Sequence, residues 1–166
     1  MTYTPKSYPR GVLGRALGLG AVAGVRSMSA PALLSQAASR GAVRGIENTK
    51  FALLASPKVA RILTLLAVGE AVADKFPGAP ARISVPGLTG RMTTGALVGA
   101  ALFTAADRRG PVGAALGLLS ATASAYPSYY LRVGAQEKLG LPNWALGLLE
   151  DALAEGGGLW SLRGQG

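Results

Sequence analysis

Two carboxylates, Glu70 and Asp74, stand four residues apart in "LLAVGEAVADKFPG", which runs from Leu65 to Gly78. On a helix, residues at i and i+4 share a face, so like charges meet here with no cation between them. A stretch otherwise this apolar places the pair at a cost of ~2.5 kcal/mol or more per charge if it lies at membrane depth. Such groups turn inward and find partners. Burial and a like-charged neighbour both disfavour ionisation, which suits a site that exchanges protons or cations.

Arg26, well inside an earlier apolar stretch, is the natural counter-charge. Three readings follow: a static Arg26–Glu70 clamp, a pair that ends its helix in water at an interface, or a working proton or cation site. Glu150 and Asp151, in the short helical pattern after Pro142, face the same choice, and there the surface reading is the stronger one. The candidate ion-binding set is therefore Glu70, Asp74, Arg26, Glu150 and Asp151.

Other chemistry is poorly supplied. The 166 residues contain no cysteine and no histidine, which removes disulfides, thiolate nucleophiles and imidazole acid–base or zinc chemistry. No nucleophile–base set, metal cluster or phosphate loop is recognisable. We expect no enzyme, no cofactor and no metal. Net charge is +9, but Lys and Arg occur in ones and twos between apolar runs, as in loops between spans, rather than in a nucleic-acid-binding patch.

The elements that must position these residues read as helices of a membrane protein. Hydrophobic residues make up 49% and charged residues 15%, against about 25% charged in globular domains. Mean hydropathy is +0.33. Ala and Gly supply much of the apolar share. A water-soluble core made of them would bury little area per residue, whereas in lipid small residues let helices approach closely.

Spans are expected at roughly 12–34, 57–75, 91–107 and 111–131, with a doubtful fifth at 142–155. Ser56-Pro57 marks a helix start, 77–90 is a Pro/Gly loop, and 107–111 is a tight turn joining antiparallel neighbours. Residues 132–140 read as a polar loop, and Gly156-Gly157-Gly158 as a helix stop. The organisation is thus a polar tail at 1–10, one helical membrane domain at 11–156 and a flexible tail at 157–166. The Lys6, Arg10, Arg15 flank resembles a signal peptide, but Arg26 interrupts the apolar core.

Gly14/Gly18, Gly20/Gly24, Gly95/Gly99 and Gly113/Gly117 are candidate close-packing seams, within the chain or in a homodimer. Tyr126, Tyr129 and Tyr130 suit an aromatic belt or ordinary packing. "GAVAGVRSMSAPALL" echoes "GLLSATASAYPSYYL", and "LLAVGEAVADK" echoes "LGLLEDALAEG", an inverted repeat of the kind transporters use. Lys and Arg divide eight against eight between the two sides, so no orientation follows.

In "GAVAGVRSMSAPALL", in "LLASPKVARILTLLAVGEAVADKFPG" with its Glu-x-x-x-Asp-Lys-x-Pro element, and in "TTGALVGAAL", the chain resembles a bacterial family of small multi-pass membrane proteins catalogued as a domain of unknown function, DUF4126. The likeness covers roughly residues 12–155. It implies a membrane location and supplies no activity. The expectation is an all-α integral membrane bundle in the cell (inner) membrane, a small permease or cation/proton-coupled transporter, or else a non-transporting scaffold.

Overall fold

A computed structural model describes residues 10–74, 83–140 and 142–163. The described chain is all-α: α1 (Arg10–Val25), α2 (Ser29–Ser39), α3 (Pro57–Ala73), α4 (Val85–Ala105), α5 (Gly110–Leu139) and α6 (Asn143–Arg163), with short 3₁₀ turns at Ile46–Asn48 and Ala52–Ala55. The N-terminal tail, the Lys75–Gly78 end of the acidic motif and the loop to Arg82 lie outside the described residues.

The expected first span is broken. Pro31 cannot donate to the carbonyl one turn earlier, and its ring collides with that carbonyl in a continuous helix. The residue one turn back is Ser27, and the chain leaves helical geometry at Arg26–Met28. From there α2 folds back beside α1, so that Arg15 near the start of α1 and Arg40 at the end of α2 line the same cleft.

This extra reversal removes the inverted repeat. Gly20 lies against Gly117 and Ser120, and Gly24 against Ala121 and Ser124, so α1 and α5 run parallel where an inverted repeat needs them opposed.

Three other boundaries also shift. Helix α4 starts at Val85, with Ser84 as N-cap and Pro86 in its first turn, so the loop ends earlier than its Pro/Gly content suggests. Residues 132–139 are helical, and α5 stops at Gly140, whose φ of +60° is the left-handed conformation that closes helices. Finally, α6 continues through its three glycines to Arg163. Each glycine costs about 1 kcal/mol of helix propensity relative to Ala, but Gly158 is packed beneath Leu33 and Leu162 is buried. Packing outweighs propensity there, and the tail expected from 157 is helix up to that point.

The core is built on close backbone approach. A Cβ at Gly99 would meet the Gly113 carbonyl, and one at Gly117 the Gly95 carbonyl, which brings α4 and α5 together as the antiparallel pair expected from the 107–111 turn. The α1 glycines do the same against α5, where Ser120 and Ser124 donate to the Leu17 and Ala21 carbonyls at 2.6 and 2.8 Å. Three of the four seams are thus used inside the bundle. At Gly14 a Cβ would meet open space.

Large apolar side chains are exposed on α3, α5 and α6. Leu65 on α3 is 70% exposed, Leu131 on α5 73% and Trp160 on α6 79%, and Ile62, Leu66, Val72, Leu149 and Leu153 are also exposed. Tyr129 and Tyr130 meet edge to face at 5.4 Å. Among the described residues no helix is long and apolar enough to cross a membrane.

The seam yields a paired test. Gly117→Ala should cost about 1–3 kcal/mol through overpacking, while Gly14→Ala should be neutral or gain up to about 1 kcal/mol. Thermal unfolding of both variants compares them, and equal melting temperatures would contradict the seam.

Candidate functional site

The break between α1 and α2 leaves backbone groups without helical partners in the interior of the bundle. Side chains from two other helices supply them. The residue at the N-cap of α2, Met28, makes no side-chain cap. Instead the Glu70 carboxylate, at the end of α3, accepts from both exposed amides: Ser27 N to Oε1 at 3.0 Å and Met28 N to Oε2 at 2.7 Å. A carboxylate at a helix N-terminus also meets the positive end of the helix dipole.

At the other side of the break, Arg91 of α4 donates through Nη1 to the carbonyls of Gly24 and Val25 at 2.8 and 2.7 Å, a cation at a helix C-terminus. Each half-helix end therefore faces an ion of the complementary sign, tethered to a neighbouring helix.

Arg26 sits in the break itself and is 2% exposed. Its Nη1 donates to Asp74 Oδ2 at 2.9 Å. Its Nε lies 2.6 Å from Asp151 Oδ1 with the N–H off that line, so the contact is ionic rather than a directed hydrogen bond. Asp74 Oδ2 is shared with Arg132 Nη1 at 3.3 Å, and Arg132 Nη1 also reaches Glu150 Oε2 at 2.9 Å. The result is an alternating ladder, Glu150–Arg132–Asp74–Arg26–Asp151, that ties α3, α5 and α6 to the tip of the α1–α2 hairpin. Nη2 of Arg26 makes no hydrogen bond among the described residues, a buried donor that the ladder does not use.

All five residues singled out by spacing and charge, Glu70, Asp74, Arg26, Glu150 and Asp151, thus meet at one place. Their pairing differs from expectation. Arg26 bonds Asp74 and Asp151 rather than Glu70, because Glu70 is committed to the amides of the break. Glu150 and Asp151 turn inward instead of lying on the surface, and Asp74 does not end its helix in water. Two members were missed. Arg132 falls in a segment that reads as polar loop, and Arg91 at the margin of an expected span. Both are in fact interior helix residues, and the Gly140 stop signal is what could have extended α5 past Arg132. Among the described residues no group of three or more His, Cys, Asp or Glu is placed to hold a metal ion.

The family model described as Domain of unknown function (DUF4126) matches residues 13–163, a stretch that takes in every member of the ladder. The chain is a DUF4126 protein. No curated protein and no solved structure matches it. Across this DUF4126 chain, then, the ladder joins residues separated by as many as 125 positions, from Arg26 to Asp151.

Removing one member of a buried ionic set leaves its partners uncompensated and costs about 3–5 kcal/mol, so Arg26→Met should lower the melting temperature of the DUF4126 protein sharply. Glu70→Gln keeps one acceptor but loses the charge and sets an NH2 donor against the other amide of the break, and should cost about 1–3 kcal/mol. The two variants are compared by thermal unfolding, and a melting temperature unchanged in Arg26→Met would show that the ladder does not hold the fold.

Proposed function

We propose that this protein is a multi-pass helical protein of the cell (inner) membrane, acting as a small permease or a cation- or proton-coupled transporter. The observation that carries the reading is the interrupted helix. Discontinuous helices whose free ends bind ions are the usual construction of transporter sites at mid-membrane, where irregular backbone is tolerated only inside protein or around a cavity. In this chain both ends already hold ions, and those ions belong to other helices.

The bilayer part of the proposal rests on the assembled outer surface rather than on any one helix. The Gly, Ser and Thr residues that pack the interior dilute each helix's own apolar character. Large apolar side chains are nevertheless exposed on α3, α5 and α6, and the ions of the ladder are held between helices, while Arg44, Lys50, Lys58 and Arg61 are exposed elsewhere on the surface.

Asp74 is the candidate exchange point. One of its oxygens serves two arginines. A proton or monovalent cation arriving there would loosen both at once and free the α1–α2 tip from α3 and α5. A second reading, a non-transporting membrane scaffold, is favoured by the completeness of the pairing: Glu70, Asp74, Glu150 and Asp151 are each held by named partners, as a rigid clamp would require. In either case lipid is the expected partner. A homodimer would need faces other than the seams already closed inside the bundle.

Because the chain has no cysteine, single-Cys variants report position cleanly. In sealed membranes Leu65→Cys and Leu153→Cys should resist a hydrophilic maleimide that labels Asn48→Cys, and equal labelling would sink the bilayer reading. In proteoliposomes the wild type should move protons or a monovalent cation, and Asp74→Asn should abolish that flux while its circular dichroism stays helical. A silent wild type would leave the scaffold reading.

A further inference from the structure

Away from the ladder, α1, α2 and α6 enclose a second feature, a cleft of about 400 Å³. Among the described residues its polar lining is Arg15, Gln36 and Arg40, with no carboxylate, and its apolar lining includes Leu33, Leu159 and Leu162. Arg15 is half-buried and anchored, its Nη2 donating to the Leu162 carbonyl at 3.3 Å. Arg40 caps the end of α2 and is exposed. On the other face of α2 a separate cleft of about 330 Å³ shares Leu33 and Gln36 but carries Asp151 and Glu155 instead. The helix α2 and its contact with α6 therefore divide a basic cleft from an acidic one.

We propose that the basic cleft binds an anionic phospholipid, with the headgroup phosphate on Arg15 and Arg40 and an acyl chain along Leu33, Leu159 and Leu162. Guanidinium groups match phosphate oxygens in geometry as well as in charge. The apolar floor is what selects a lipid over free phosphate. Buried Leu33 and Leu162 give the chain a dry path, and exposed Leu159 carries it out beside Trp160 on the apolar surface. Basic pockets between helices are recurrent sites for anionic headgroups. The inference rests on the bilayer reading above, and the test separates the two.

The full chain in mild detergent is titrated with dioctanoyl phosphatidylglycerol, dioctanoyl phosphatidylcholine or glycerol phosphate, and read by native mass spectrometry and melting temperature. Phosphatidylglycerol should be retained one to one and raise the melting temperature, with phosphatidylcholine at least about tenfold weaker and glycerol phosphate inert. Arg15→Gln with Arg40→Gln should weaken phosphatidylglycerol about 30-fold. Because Arg15 also holds the α6 backbone, Arg40→Gln alone is the second variant, expected about fivefold weaker with its fold intact.

Equal retention of the two lipids, glycerol phosphate binding as tightly as phosphatidylglycerol, or an unaffected Arg40→Gln would each overturn the proposal. If phosphatidylglycerol fails while Leu65→Cys stays shielded in membranes, the lipid cleft alone falls. If Leu65→Cys is labelled like Asn48→Cys, the bilayer reading falls and the cleft proposal with it.

Discussion

A single proline sets the constraint from which the architecture follows. Pro31 disfavours a continuous helix through Ser27, whereas Pro127 is accommodated inside α5. The interrupted backbone beside buried Arg26 is partly buried, where an unsatisfied amide or carbonyl costs about 1–3 kcal/mol. Glu70 and Arg91 remove that cost from opposite sides. Each thereby fixes the end of its own helix against the hairpin tip. The break also buries Arg26, whose charge then demands carboxylates from α3 and α6, and Arg132 completes the set from α5. Ionic contacts of this kind add little net stability compared with an apolar core of the same shape, but they penalise every arrangement in which they are mispaired. In this chain they specify how five helices meet at one point.

Close backbone packing makes that convergence feasible. With Gly95, Gly99, Gly113 and Gly117 at the α4–α5 contact and Gly20 and Gly24 of α1 against α5, three helices approach without side chains between them. Larger residues such as Leu19, Leu34, Ile46, Val98 and Phe103 fill the core around these contacts, and others are exposed on α3, α5 and α6.

Helix content, the α4–α5 hairpin, the Ser56-Pro57 start and the nearness of Arg26 to the Glu70 and Asp74 pair were legible in the sequence, whereas the inward turn of Glu150 and Asp151 was not, because their short helical pattern reads as surface. Scarce charges in apolar helices have few places to go, so identifying them nearly identifies the site. The break at Arg26–Met28 was legible in Pro31, yet the apolar pattern on either side of it reads as one span. Periodicity cannot report a reversal that leaves both arms apolar. Which carboxylate meets which guanidinium was not legible, because pairing depends on the direction of α2, and that follows from the reversal. The extension of α6 through Gly156–Gly158 was hidden for another reason. Local propensity argues against it, and only the long-range contact of Gly158 with Leu33 reverses the balance.

A carboxylate from α3 holds the broken helix together. Hydrogen–deuterium exchange at the Ser27 and Met28 amides tests it most directly. Slow exchange in the wild type, accelerated about tenfold or more at these two amides in Glu70→Ala while the α4–α5 amides stay protected, is the predicted result. Fast exchange in the wild type, or no change on removing Glu70, would contradict it.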